Sequence, residues 1–180
     1  MTAIVKKATG QLINSISAPD DVVEMNTPEG CLAVEDPPEP NMYYLDGWVA
    51  MPAQPTPHHA FDYTTKQWID PRTLDEIKAQ KWAEIKSQRD QLEFGGFEFE
   101  GNTYDSDQVS QGRIMGAAVA GVDQIWTLAD NTTVVLSASQ LQQLYAALQA
   151  HIASAHERGR IARQLIFEAE TKEQVEEINL

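Results

Sequence analysis

The stretch that decides the fold of the C-terminal half is FGGFEFEGNTYDSD, residues 94–107. Aromatic and acidic residues alternate from Phe97 to Glu100, and successive side chains of a strand point to opposite faces. Gly101-Asn102 favours a turn, after which the chain returns along the first strand. The stretch therefore predicts a β-hairpin with its phenylalanines on one face and Glu98 and Glu100 on the other.

Helices are predicted on both sides of this hairpin. Upstream, Asp70 or Thr73 can cap a helix that runs to about Leu92. Downstream, the run Asp105-Ser106-Asp107 supplies caps for a helix over residues 108–121 that is rich in small residues. We therefore expect the hairpin to connect two helices.

A second hairpin and a long helix are predicted in the last third of the chain. Strands over residues 124–128 and 132–136 flank the turn pair Asp130-Asn131. Ser137 and Gln140 then form a capping box, in which side chains and backbone satisfy each other's free donors. The apolar residues that follow recur at helical spacing on one face: Leu141, Leu144, Tyr145, Leu148, Ile152 and Ala155.

The end of this long helix is also marked in the sequence. We expect it to run through Gly159, a weak point, to about Ala169. Thr171 and Gln174 repeat the capping-box pattern and predict a short terminal helix.

The composition of the chain changes near residue 72, because all nine prolines lie in residues 1–71. Short apolar runs between the prolines predict strands, and Asp46-Gly47 between two such runs is the strongest hairpin signal. Further hairpins are predicted around Thr9-Gly10 and around residues 64–66. The run from Pro37 to Pro40 predicts a stiff extended spacer, since proline fixes φ and lacks a backbone donor.

The charge balance is strongly acidic, with 13 Lys and Arg against 27 Asp and Glu and a net charge of −14. Such a surface repels nucleic acid and anionic membranes, so we predict neither as a partner. The first ten residues lack the apolar run of a secretory signal, and no stretch approaches the roughly 18 apolar residues of a membrane span. Because Cys31 is the single cysteine, we expect synthesis in a reducing cytoplasm.

The residues that could act in catalysis or metal binding are more simply explained by structural roles. His151 and His156 are five apart on a predicted helix, whereas helical chelation needs a spacing of three or four. The run Asp105-Ser106-Asp107 has alternating carboxylates but lacks the glycine and the distant glutamate of a calcium loop, so helix capping is favoured. Glu98 and Glu100 are expected on a solvated strand face. The sequence therefore predicts no catalytic residue, no cofactor and no metal site.

Large aromatic side chains are the best candidates to anchor an interface. The candidate interface residues, all before residue 72, are Tyr43, Tyr44, Trp48, Phe61 and Trp68. For the first three, a role in the core of a small module is an equal alternative. Trp82 and Trp126 are predicted to be core residues.

Several motifs resemble segments of tailed-bacteriophage proteins. Residues 42–47, 61–63 and 68–71 resemble the N-terminal portions of phage tail-fibre and tail-accessory proteins. From about Ile77 to Leu180 the chain resembles an uncharacterised domain family that recurs at the C-termini of such proteins. The features that carry this resemblance, in chain order, are Lys86 to Asp90, residues 94–99, Gly101 with residues 104–107, Ser110 with Arg113-Ile114, residues 126–131, residues 136–144 and residues 156–169. The resemblance implies a role in the virion or in tail assembly and supplies no catalytic residue.

These observations predict an α+β fold in three parts. Residues 1–71 are expected to form a β-rich, proline-punctuated docking module, and residues 72–93 a linking helix. Residues 94–180 are expected to form a C-terminal domain of the order helix–hairpin–helix–hairpin–helix.

The predicted function is that of a structural, non-enzymatic subunit of a phage tail, in the tail fibre or in the tail tip and baseplate. Its expected partners are tail-fibre or baseplate proteins and further copies of itself, with a trimer suggested by phage fibres. One alternative is a tail-fibre assembly chaperone. A second is a glycan-processing enzyme that uses the acidic residues of the first hairpin.

Overall fold

The computed structural model describes all 180 residues, which divide into two compact units, residues 1–72 and 73–180. The first unit is rich in strands and the second in helices, so the predicted α+β class is confirmed. The boundary follows Pro71, the last proline, after which uninterrupted helices become possible. None of the helices has the length and apolar composition needed to cross a bilayer.

The first unit contains a three-stranded antiparallel sheet, a short helix and two hairpins. In chain order its elements are β1 (Thr2–Lys6), β2 (Leu12–Ile16), α1 (Asp20–Met25), β3 (Cys31–Glu35), β4 (Met42–Tyr44), β5 (Trp48–Ala50), β6 (Ala60–Asp62) and β7 (Gln67–Ile69). The sheet order is β2-β1-β3, while β4 pairs with β5 and β6 with β7. The central strand is the most apolar, and its residues Ala3, Ile4 and Val5 are buried.

Gly10 fixes the turn between β1 and β2. Its φ of +65° is a conformation that residues with a Cβ rarely adopt. The Tyr44 N–H donates to the Gly10 carbonyl at 2.9 Å, and a Cβ at Gly10 would lie 1.9 Å from the Tyr44 carbonyl oxygen. Glycine is therefore required here both by the turn and by the close approach of β4.

The second unit alternates helices with hairpins. In chain order its elements are α2 (Leu74–Phe94), β8 (Phe97–Phe99), β9 (Asn102–Tyr104), α3 (Gln108–Ala120), β10 (Gln124–Thr127), β11 (Thr133–Leu136), α4 (Ala138–Glu168) and α5 (Lys172–Glu176). The side chain and backbone of Thr73, Ser137 and Thr171 form capping boxes at the starts of α2, α4 and α5. The two capping boxes predicted at Ser137 and Thr171 are therefore confirmed.

Helix α4 organises the core of the second unit. Three of its leucines, Leu141, Leu144 and Leu148, are buried. They pack with the aromatic residues of the β8–β9 hairpin, including Tyr104, and with buried residues of α3 and β11. Each such leucine contributes about 1.5–3 kcal/mol by leaving water. Farther along α4, a second cluster joins Ala162 and Ile166 to Ile85 of α2. The predicted apolar face of α4 is thus the face that is buried.

Two elements differ from the sequence-based expectations. The helix expected to link two modules, residues 72–93, is α2, and it lies inside the second compact unit because Ile77 and Ile85 are buried there. Helix α1 was not predicted; it is a six-residue helix in which only Val23 is buried, too short to show a periodic pattern.

Candidate protein-binding sites

The five predicted interface aromatics form two contact groups in the first unit. Tyr43 stacks on Phe61 at 5.6 Å between ring centroids, and Phe61 meets the edge of Trp68 at 5.3 Å. Tyr44 meets Trp48 edge-on at 5.5 Å. All five side chains are half-buried, so each contributes to packing and still presents part of its ring to solvent.

Hydrogen bonds fix the indole rings of the two tryptophans among these five residues. Trp48 Nε1 donates to the Glu35 carbonyl and Trp68 Nε1 to the Pro52 carbonyl, each at 2.8 Å. Lys66 lies over the Tyr43 ring, with its Nζ 4.7 Å from the ring centroid. The aromatic residues therefore hold the β4–β5 hairpin to the end of β3, the β6–β7 hairpin to the segment that follows β5, and the two hairpins to each other.

His151 and His156 have partners unrelated to metal binding. His151 Nε2 donates to the Leu92 carbonyl at 2.8 Å, and its ring stacks on Phe97 at 5.7 Å. His156 Nε2 lies 3.0 Å from Glu93 Oε2. No group of three or more His, Cys, Asp or Glu side chains is placed to hold a metal ion.

Asp107 is the N-cap of α3, as the capping interpretation predicted. Its carboxylate accepts hydrogen bonds from the Val109 N–H at 2.9 Å, the Ser110 N–H at 3.2 Å and the Ser110 hydroxyl at 2.6 Å. The Ser110 hydroxyl, followed by these backbone donors, holds the Asp107 pKa below its ordinary value. Asp105, two residues earlier, is exposed and makes no such bond.

The two hairpin glutamates lie on the exposed side of β8 and the following turn. Glu98 and Glu100 are both exposed, and Glu100 accepts a hydrogen bond from Gln140 Nε2 at 3.0 Å. Phe97, on the other face of the strand, is buried, so the predicted alternation of the first hairpin is confirmed.

A groove of about 560 Å³ lies between α3 and β10 in the second unit. One wall is formed by residues 124–128, which are all of β10 and the residue after it. The other wall is formed by α3. The α3 residues that line it are Ser110, Arg113, Gly116 and Ala117, and Asp105 and Asn131 complete the lining. This volume is within the range of pockets that hold small ligands or short peptide segments.

Exposed apolar side chains lie beside this groove. Ile125 of β10 and its cross-strand neighbour Val135 of β11 are 74% and 69% exposed. Trp126, on the opposite face of β10, packs against the core as predicted. The sequence contained the signal for this surface, because strand alternation that buries Trp126 must expose Ile125.

A comparison with protein-family models matches residues 76–179 to a domain of unknown function, DUF4376. The chain belongs to the DUF4376 family. No curated protein and no solved structure matches it.

The DUF4376 match spans nearly all of the second unit and leaves the first unit outside. It includes both walls of the groove and the exposed pair Ile125 and Val135. The five aromatic residues predicted from sequence as interface candidates lie before it. The groove is therefore a feature of the DUF4376 domain, whereas the aromatic hairpins belong to the preceding unit.

Proposed function

We propose that the protein is a structural subunit of a bacteriophage tail, in the fibre or in the tail tip and baseplate, and that it acts by binding other proteins. The observation that carries the proposal is the exposed apolar pair Ile125 and Val135 beside an open groove of the DUF4376 domain. Exposed apolar side chains grouped beside a groove are typical of protein-binding surfaces. The tail context rests on the resemblance of the motifs described above.

The two units have separate roles in this proposal. The half-buried aromatic hairpins of residues 1–72 dock onto a fibre or baseplate protein, since Tyr and Trp combine large contact areas with a polar group. The DUF4376 domain, as a helix–hairpin–helix–hairpin–helix module, binds a neighbour or further copies of the chain. Closed symmetric assemblies are the usual form of homo-oligomers, and a trimer fits a fibre.

Mass spectrometry of purified virions tests this function. We expect the chain to co-purify with intact particles at a fixed ratio to the tail proteins and to be located in the tail by a particle map. A protein that is abundant in infected lysate and missing from purified particles would contradict a structural role.

That contrary outcome would favour the alternative proposal, a tail-fibre assembly chaperone. A chaperone binds the fibre protein only during assembly, so it would co-purify with unassembled fibre protein and not with particles. The same two fractions of one lysate therefore separate the two proposals.

A further inference from the structure

The β10–β11 hairpin leaves part of its backbone unpaired. Leu128 N–H donates to the Thr132 carbonyl at 2.8 Å, which places these two residues in a hydrogen-bonded pair. Paired residues in an antiparallel ladder alternate between hydrogen-bonded and non-hydrogen-bonded positions. Counting back along the register, Ile125 and Thr127 occupy non-hydrogen-bonded positions, opposite Val135 and Thr133. Their N–H and C=O groups therefore point away from β11, toward the outer edge of β10.

This outer edge already accepts a partner at one position. The Ala129 N–H, the next outward donor after Thr127, donates to the Thr103 carbonyl of β9 at 3.1 Å. Beyond Thr103 the chain leaves the edge at Asp105 and enters α3. No third strand pairs with β10, so the backbone of Ile125 and Thr127 has no strand partner.

The groove lies along this edge. Five consecutive residues of one strand, 124–128, line it, and no residue of β11 does. A depression on the face of the hairpin would instead be lined by alternate residues of both strands. The groove therefore runs between the outer edge of β10 and α3, beside the unpaired backbone groups.

We propose that an extended segment of a partner protein adds to the outer edge of β10 as a third strand, inside this groove, with an acidic side chain against Arg113. This mode of recognition is β-strand addition, in which main-chain hydrogen bonds supply affinity and side-chain pockets supply specificity. The inference deepens the proposed protein-binding function, on which it rests, by naming the kind of partner segment that is bound.

The dimensions of the groove fit one strand. Residues 124–128 span about 13 Å at the strand rise of about 3.3 Å per residue, which is the length of four or five partner residues. The opposite wall is low because Gly116 and Ala117 are small, and a Cβ built on Gly116 meets nothing within 4 Å. There is thus open space over α3 for the side chains of an added strand.

Charge determines the chemistry of that strand. Arg113 is exposed, forms no ion pair and lies in the middle of the α3 wall, between Ser110 and Gly116. A central guanidinium faces a side chain of the added strand rather than its terminus, and it binds carboxylates with two parallel hydrogen bonds. Asp105 disfavours a second acidic group near its own position. The matching segment is therefore uncharged or apolar apart from one acidic residue opposite Arg113.

A second copy of the chain fits this groove less well than a separate partner. Each copy carries a net charge of −14, so an edge-to-edge contact of two copies at this groove carries a repulsion that a largely uncharged segment of another protein does not. A second copy would also bring its own β10–β11 hairpin and α3 against the α3 wall, whereas a single extended segment lies over the small residues Gly116 and Ala117.

Two capped peptide libraries of about eight residues test the proposal on the full chain. Both have random β-forming positions, and they differ only in a fixed central residue, glutamate in one and lysine in the other. We expect the chain to retain glutamate peptides, and the retained peptides to shift the amide signals of Ile125 and Thr127 and slow their exchange with solvent. Failure to retain any peptide, or retention without a change at these two amides, would overturn the proposal.

Matched proline variants separate the two edges of the hairpin. Ile125→Pro removes an outward N–H that the hairpin does not use, and Val135→Pro does the same at the β11 edge. We expect Ile125→Pro to weaken peptide binding about tenfold or more, because it removes a main-chain donor from the groove and adds a ring there, and Val135→Pro to leave it unchanged. Equal losses of peptide binding in the two variants would contradict the assigned edge, provided that NMR shows the β10–β11 hairpin to be folded in each variant.

The variant Arg113→Glu tests the acidic residue of the partner. We expect its preference to reverse from the glutamate library to the lysine library. An unchanged preference would contradict the role of Arg113.

Sedimentation of the wild type tests the choice of occupant. A dimer that Ile125→Pro dissociates would show that a second copy occupies the groove and would overturn the assignment to a separate partner. Because none of these measurements uses virions, a negative result here leaves the virion experiment decisive for the tail role.

Discussion

Ser106 is the buried polar residue of the second unit, and its hydroxyl has both of its bonds inside the fold. Ser106 Oγ donates to the Glu93 carbonyl at 2.5 Å and accepts from the Gly96 N–H at 2.9 Å. The hydroxyl thus joins the end of α2 to the start of the first hairpin. Without it, the Gly96 N–H loses its partner and the Glu93 carbonyl keeps only the longer contact with His151 Nε2, at 3.3 Å.

Ser106→Ala should therefore destabilise the second unit. We expect the free energy of unfolding to fall by about 1–3 kcal/mol, the usual cost of leaving buried polar groups unsatisfied. The measurement is a urea titration followed by circular dichroism, with an unchanged dependence of free energy on urea concentration.

Ser110→Ala is the matched control for this prediction. The Ser110 hydroxyl also forms a short hydrogen bond, to Asp107, but this bond lies at the exposed start of α3. Water replaces it, so we expect a loss of about 0.5 kcal/mol or less. An equal loss in both variants would show that the stabilising effect of the Ser106 hydrogen bonds does not depend on their burial.

At the scale of elements, α2 is held by α4 and by the end of the chain. Ile85 is fully buried against Ala162 and Ile166 of α4, and Trp82 packs at the same place with Ile178 and Leu180. Arg163 of α4 also lies over the Trp82 ring, 5.4 Å from its centroid. These contacts make α2 a layer of the core rather than a connector.

Ile85→Ala tests this role of α2. We expect a loss of about 2–5 kcal/mol in the free energy of unfolding, because the truncation leaves a cavity between two helices. Thermal and urea unfolding of the full chain measure it. Gln91→Ala, at an exposed position of the same helix, is the control and should change stability by less than about 0.5 kcal/mol. Equal, small effects of the two substitutions would support a linking helix instead.

The two units differ in how much core each one contains. Both hydrophobic clusters of the chain lie entirely within residues 73–180, whereas the first unit relies on a small sheet and on aromatic contacts between hairpins. A segment of this size with its own core is typical of an autonomous domain. The second unit therefore has a hydrophobic core of its own, which is the main requirement for independent folding.

A fragment of residues 73–180 should fold by itself. We expect it to retain its helical circular dichroism signal and to unfold in one cooperative transition. A fragment that begins at residue 95 is the control, and it should lose cooperativity because it lacks α2 and the contacts of Ile85. A fragment 73–180 without cooperative unfolding would contradict the unit boundary.

The sequence by itself determined most local elements of this protein, α1 being the exception. The capping boxes at Ser137 and Thr171 and the turns at Thr9-Gly10 and Asp46-Gly47 are all found where the sequence predicts them. Each depends on residues within about four positions of one another, so a short stretch of sequence contains the whole interaction. The alternation of the first hairpin is predictable for the same reason.

Only the tertiary structure decided which elements share a core and which edges remain open. The bond from Ser106 to Glu93 crosses 13 residues, and the bond from His151 to Leu92 crosses 59. The role of α2 and the position of the groove beside β10 depend on such distant contacts. Local spacing cannot specify them, because the free energy of burial depends on which surfaces meet after the chain has folded.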